Sequence, residues 1–222
     1  MGKNIKKISK TIGILKKFQK GARKTTLNRE AKENKNFTPY QTLISCLLSL
    51  RAKDETTEKI SNSLFKTAKT AKQMLKIPRK RLEKIIFSSG HYRRKAEAIR
   101  HVSREIIEKF SSKVPDTREE LMSIKHIGPK TANIVLAFSF NKQVIPVDVH
   151  VHVVANRLGW IKTRTAEKSE IELMKVLPKK YWGDINGILV LFGKQICDTR
   201  SPWCSKCPIK KYCRRAGVKK SR

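Results

Sequence analysis

The sequence predicts an all-α fold, and three observations carry that reading. Apolar residues recur at spacings of three and four along most of the chain. Helix-opening combinations, Thr-Pro, Thr-x-x-Gln and Thr-x-x-Glu, stand before several of these stripes. Alternating apolar–polar runs are missing except at Val144–Val149, where Pro146 interrupts the pattern. The 222 residues suffice for one large domain or two small ones with a substantial core.

Taken in order, Ile5, Ile8, Ile12 and Leu15 predict an amphipathic helix near Ile8–Phe18 with a wet, basic opposite face. Thr38-Pro39 supplies an N-cap and a first-turn proline for Leu43–Leu50, which is apolar on nearly every side and so predicts a buried helix. Ile60, Leu64 and Phe65 mark the next helix, and Thr70-x-x-Gln73 is a capping box for a short one. Ile77-Pro78 breaks the chain before a helix at Leu82, Ile85 and Ile86. Ile99, Val102, Ile106 and Phe110 form a long stripe, and Thr117-x-x-Glu120 opens the helix of Leu121 and Ile124. A further helix is expected over Val149–Leu158, ended by Gly159.

Charge narrows the function. Lys and Arg total 51 against 18 Asp and Glu, a net charge of +33, which argues for a polyanionic partner. Residues 1–35 alone hold twelve basic side chains and two acidic ones. The hydrophobic share of 39% falls in periodic runs, so a disordered basic protein is disfavoured. The longest largely apolar run, residues 134–140, is far short of the ~20 needed for a membrane span. The first residues carry no apolar h-region, so an intracellular protein is expected, with cysteines read as metal ligands before disulfides.

Three local patterns carry chemistry. Residues 121–132 read as helix, tight turn at His126–Gly128, and second helix, with Gly128 allowing a positive φ and Pro129 presetting the first turn. The backbone N–H groups at such a turn and helix start make a phosphate-sized anion site, so His126 and Gly128 are candidate DNA contacts. Lys130 follows in the first turn, against the helix macrodipole, as either a further phosphate contact or a reactive amine. Asp148, just before Val149–Leu158, reads from position as an N-cap. Cys197-x6-Cys204-x2-Cys207-x5-Cys213 is a four-thiol metal set, for which zinc is the general expectation. Cys46 lies in the apolar helix and reads as core, and Trp160, Trp182 and Trp203 likewise.

The Gly-Pro-Lys-Thr-Ala-Asn hairpin at 128–133, the Val-Asp-x-His loop at 147–150 and the cysteine tail together resemble the endonuclease III branch of the helix-hairpin-helix DNA glycosylases. The resemblance runs over essentially the whole chain beyond residue 30. It implies a two-lobed fold: a six-helix barrel over residues 32–142 ending in the hairpin, and a second lobe of residues 1–31 with 143–222. It implies a [4Fe–4S] cluster on the four cysteines at 197–213, Lys130 as catalytic amine and Asp148 as its partner. The activity implied is that of a bifunctional glycosylase and AP lyase, removing damaged, oxidised pyrimidines from duplex DNA as a monomer in base excision repair. An ordinary lysine, with pKa ~10.4, is almost wholly protonated at pH 7, so the attacking amine must be held neutral. Asp148 is better suited to steadying the cationic sugar or moving a proton than to that task.

The resemblance also assigns two loops to the gap left by an extruded base, Leu50–Asp54 and Ser89–Arg93. There Arg51 stands where glutamine is common and His91 where an apolar wedge is usual; His126 replaces the hairpin's first glycine. Arg51 could stack on the orphan base or contact phosphate. Arg200, with Lys206, Lys210, Lys211, Arg214 and Arg215 around the cysteines, marks the metal as a structural clip whose basic side chains meet the DNA backbone. His150 and His152 lack a third ligand and read as structural or phosphate-facing. Two other readings remain: a monofunctional mismatch or adenine glycosylase using water, and a non-catalytic, metal-clipped DNA-binding module.

Overall fold

The structure, a computed structural model, describes residues 2–19 and 37–222, which are helical with no β-strand among them. They group into two compact units: the described part of Thr26–Lys142, and α1 (Gly2–Phe18) with Gln143–Arg222. The expected boundary at residue 31 lies outside the described residues.

In the first of these units, α2 (Pro39–Ser49) opens with a complete capping box, in which Thr38 Oγ1 accepts the Gln41 N–H and Gln41 Oε1 accepts the Thr38 N–H. Tyr40 through Leu48 are all buried, as an all-round apolar helix requires. Leu50, expected inside this helix, is its C-cap and is exposed. One residue earlier the Ser49 hydroxyl donates to the Cys46 carbonyl, the local side-chain bond that competes with helix continuation. Around α2 pack α3 (Asp54–Thr67), α6 (Tyr92–Lys109) and α8 (Pro129–Ser139). The short helices α4 (Ala71–Lys76) and α5 (Arg79–Ile85) lie on α6, and α7 (Arg118–Ser123) lies on α8.

Two expected capping boxes take altered forms. Thr70 accepts the Gln73 N–H, but the Gln73 amide oxygen accepts from Lys69 N–H, one residue before the cap. Thr117 accepts the Glu120 N–H while its hydroxyl donates to the Glu120 carboxylate. Each helix start therefore keeps one capped N–H without the reciprocal bond.

In the other unit α1 buries Ile8, Ile12 and Leu15 but leaves Ile5 exposed. It packs on α11 (Trp182–Gln195), which also carries α9 (Val149–Leu158). α10 (Ala166–Val176) completes the unit, capped by Thr165. A Cβ on Gly193 would stand 2.6 Å from His150 Nδ1 and 3.0 Å from its Cβ, so glycine is what lets α9 approach α11 here. Gly159 ends α9 at φ +72, as expected. Trp160 and Trp182 are buried, whereas Trp203 is only half-buried, its ring covered by the Arg222 guanidinium at 4.2 Å and the Lys206 ammonium at 5.0 Å. Among the described residues, no helix is long and apolar enough to cross a membrane.

Candidate active site and nucleic-acid interface

The hairpin forms where α7 ends at Ile124 and α8 begins at Pro129. Gly128, expected to supply the positive φ, instead is the extended N-cap of α8 at φ −96, ψ 175. The chain reverses two residues earlier, and His126 is the left-handed residue at φ +79. With Gly128 in the extended conformation typical of an N-cap, the reversal falls before it. A Cβ on Gly128 would meet nothing within 4 Å, so internal packing does not demand glycine and the backbone stays open on that side. The first intrahelical bond of α8 runs from Ala132 N–H to the Gly128 carbonyl at 3.0 Å. The hairpin thus presents the positive end of α8. Lys130 stands exposed in that first turn.

His126 meets the His101 ring edge-on, centroids 5.4 Å apart, and both line a pocket with Arg100, Arg104, Lys125 and Glu97. Desolvation lowers the His126 pKa, reinforced by the charges of His101 and Lys125 and opposed by Glu97.

Arg51 and His91 are both exposed and both left-handed, at φ +54 and +48. His91 is the N-cap position of α6. Beside it Phe87, 64% exposed, packs its ring 4.9 Å from that of Tyr92, an apolar feature of this loop that sequence reasoning missed. A second missed residue is Lys95. It is buried, and its ammonium donates to the carbonyls of Leu48 (2.7 Å) and Ser89 (2.8 Å). Burial brings its pKa down to about 8. Lys95 lies four residues before Ile99, on the stripe that continues to Val102 and Ile106, and a lysine on an apolar stripe was the available clue.

Asp148 is the N-cap of α9, its Oδ1 accepting the Val151 N–H at 2.9 Å. It belongs to the unit of Gln143–Arg222, and Lys130 to the other. His152 is held by the Ser169 hydroxyl at 2.6 Å, and His150 packs on Gly193; the expected structural role fits both.

Cys197, Cys204, Cys207 and Cys213 line one pocket together with Arg157 and Trp203. Burial raises the Cys197, Cys207 and Cys213 pKa values, Cys207 to about 11, and neighbouring thiols add to the rise. Among the described residues no three His, Cys, Asp or Glu side chains are grouped as holders of a metal ion. Arg157, unread in the sequence, organises the loop. Its buried guanidinium donates to the carbonyls of Cys197 (3.2 Å), Asp198 (2.7 Å) and Thr199 (2.7 Å) and lies 3.5 Å from Cys197 Sγ. Asp198 accepts the N–H groups of Ser201 and Arg200, which hold its carboxyl below the usual range. The Arg200 side chain is exposed on this loop.

Comparison with known proteins agrees with this geometry. Residues 44–179 match the family described as HhH-GPD superfamily base excision DNA repair protein. The chain is 45% identical to Endonuclease III of Thermotoga maritima over 187 residues, covering 84% of this chain and 88% of that one. Among solved structures, a non-covalent Endonuclease III–DNA complex superposes with a TM-score of 0.83 at 31% identity, over 95% of each chain. A trapped Endonuclease III–DNA covalent intermediate gives 0.75 at 33% identity, over 85% of this chain and 92% of the other. On that family match and that identity, the chain belongs to the endonuclease III family within the HhH-GPD superfamily of base excision DNA repair proteins.

Proposed function

We propose that this protein is a bifunctional DNA glycosylase and AP lyase that excises oxidised pyrimidines from duplex DNA, acting as an intracellular monomer. The observation that carries this reading is Lys130, an exposed amine in the first turn of α8, one residue past the proline of a hairpin whose open backbone suits a phosphate. A relative at 33% identity has been trapped as a covalent DNA intermediate, which is the outcome an amine nucleophile produces.

The chemistry follows from the two residue types. The neutral Lys130 amine bonds to C1′ as the bond to the damaged base breaks, and the base leaves with the electron pair and takes up a proton. Loss of a proton from nitrogen and opening of the C1′–O4′ bond give the Schiff base, replacing one hard step with two easier ones. The imine acidifies C2′; removal of that proton breaks the C3′–O bond and cuts the strand. Asp148, aimed by its bond to Val151 N–H, supplies the carboxylate that steadies positive charge on the sugar or carries a proton. Arg51, His91, His126, Gly128 and Arg200 are assigned to the DNA, Arg51 and His91 at the gap left by the extruded base. The same reading places the barrel at residues 32–142 and the cluster lobe at 1–31 with 143–222.

Cys197, Cys204, Cys207 and Cys213 are the proposed ligands of a [4Fe–4S] cluster. Burial and neighbouring thiols raise the pKa values of Cys197, Cys207 and Cys213, and the four half-buried thiols would repel one another as bare thiolates, so the site suits a cationic occupant. A single zinc draws four sulfurs to ~2.3 Å from one point. All four thiols line one pocket, and thiolate ligands suit an iron–sulfur cluster, in which each would hold a different iron. When bound, the cluster would supply structural rigidity to the loop that displays Arg200, Lys206 and Lys210. Protein purified without air should be yellow-brown with about four irons per chain; a colourless, folded protein with one zinc would refute the assignment.

Borohydride trapping tests the activity. Wild-type protein should crosslink to duplexes carrying an oxidised pyrimidine, and Lys130→Ala should not. Base release without any crosslink by the wild type would mean a monofunctional glycosylase, and undiminished crosslinking by Lys130→Ala would move the nucleophile elsewhere.

A further inference from the structure

We propose that Lys95 is a positioning residue for damage discrimination, a buried clasp that holds the Leu50–Asp54 and Ser89–Arg93 loops in one fixed arrangement. The inference rests on the assignment of those two loops to the gap in the duplex. Its basis is geometric. The Lys95 ammonium donates to Leu48 in the last turn of α2 and to Ser89 at the end of the Phe87–Ser89 turn, two segments 41 residues apart in sequence. Each accepted carbonyl lies two or three residues before a left-handed, exposed side chain: Leu48 before Arg51, and Ser89 before His91.

That placement has physical consequences. A non-glycine residue with positive φ is unfavourable and persists only where its surroundings impose it. Both loops hold such a residue at the point where the side chain projects to solvent. Between them runs one ammonium, which replaces two backbone bonds that the end of α2 and the Phe87–Ser89 turn cannot make within themselves. Burying a lysine is costly: with a relative exposure of 6%, its charge is stripped of most of its water. A methionine or leucine would fill this position on the α6 stripe without that cost. What lysine adds is two directed, charge-assisted bonds that fix the spacing of the loop bases. The Lys95 ammonium bonds only backbone carbonyls, and its own backbone N–H donates to the His91 carbonyl at 3.1 Å, so it acts through the loop backbone rather than on DNA.

Lys95→Met keeps the stripe apolar and the side-chain length while deleting both bonds, so it separates positioning from packing. The measurement compares two substrates. Duplex containing an oxidised pyrimidine needs the gap to be filled; single-stranded DNA with a preformed abasic site does not. Lys95→Met should lower single-turnover excision on the duplex by about tenfold. Its lyase rate on the single strand should stay within about twofold of wild type. Equal losses on both substrates, or no loss on the duplex, would overturn the proposal. If the wild type itself shows no preference for damaged over intact duplex, the loop assignment fails, which is a separate result. Should Lys95→Met not fold, Lys95→Leu, which also lacks a donor and keeps the stripe apolar, is judged by the same comparison.

Discussion

Asp148 shows how one side chain can satisfy two demands that a single substitution separates. Its Oδ1 caps α9 through the Val151 N–H, and asparagine caps a helix about as well as aspartate. Asp148→Asn should therefore change thermal stability by only a few tenths of a kcal/mol, while excision falls by about a hundredfold or more if the carboxylate acts on the sugar. Asp148→Ala should add a stability loss of ~1 kcal/mol. Normal turnover by Asp148→Asn would leave capping as the residue's whole role. Lys95 makes a pH prediction with a definite sign. Burial brings its folded pKa to about 8, against 10.5 for an ordinary lysine. Above about pH 8 the unfolded chain holds more protons than the folded one, so this group's contribution to stability rises with pH until about 10.5 and is flat below 8. Thermal melts of wild type and Lys95→Met across that window should show wild type gaining on the variant as pH rises from about 8 to about 10.5; parallel curves would contradict the burial effect. At this scale the sequence spoke unevenly. Lys130, Asp148 and the cysteines stood in recognisable spacings. Lys95 and Arg157 did not, because their roles depend on carbonyls far along the chain. Gly128 was expected to take the positive φ, but it is the extended N-cap of α8 and His126 takes that conformation instead.

Among the elements, α9 and α11 owe their approach to one glycine, and magnitudes decide the sign of its replacement. Gly193→Ala would gain ~1 kcal/mol of helix propensity. The new Cβ would press on His150 Cβ and Cγ at 3.0 Å, atoms too close to the backbone to swing away. Overpacking of this kind costs ~1–3 kcal/mol, so the net effect should be a loss of about 1 kcal/mol. Gly13 in α1 is the control, since a Cβ there meets nothing within 4 Å and Gly13→Ala should stabilise by ~0.5–1 kcal/mol. Chemical denaturation of both variants checks the pair; stabilisation by Gly193→Ala would show that α9 yields easily. The helices from α2 to α9 were legible because stripes and caps stand close together in the chain. α10 and α11 were not read: α11 carries Gly183, Gly187 and Gly193 and is apolar on most sides, so it offers neither a clean stripe nor a capping side chain. Its helical state is supported by tertiary burial of Ile185, Leu189 and Phe192 rather than by propensity.

For the molecule as a whole, the net charge of +33 sets how it should meet DNA. If about six phosphates are neutralised, log K should fall against log salt with a slope near −5. Affinity should then drop by roughly three orders of magnitude between 50 and 200 mM salt. Phosphate contacts carry no information about damage, so intact and lesion-bearing duplexes should share most of that slope. Discrimination should appear as a nearly salt-independent gap between two parallel lines, contributed by the extruded base and the residues that replace it. Arg51 connects the two quantities. If it fills the gap, Arg51→Ala narrows the distance between the lines and leaves their slopes alone; if it contacts phosphate, both slopes flatten by about one and the distance persists. Isotherms for both duplexes at several salt concentrations separate these outcomes, and a variant that changes neither quantity would remove Arg51 from the DNA interface. The +33 charge is suited to attraction to any duplex, so selection of a damaged one has to come from a few locally fixed contacts, the task that the proposed function gives to the Arg51 and His91 loops.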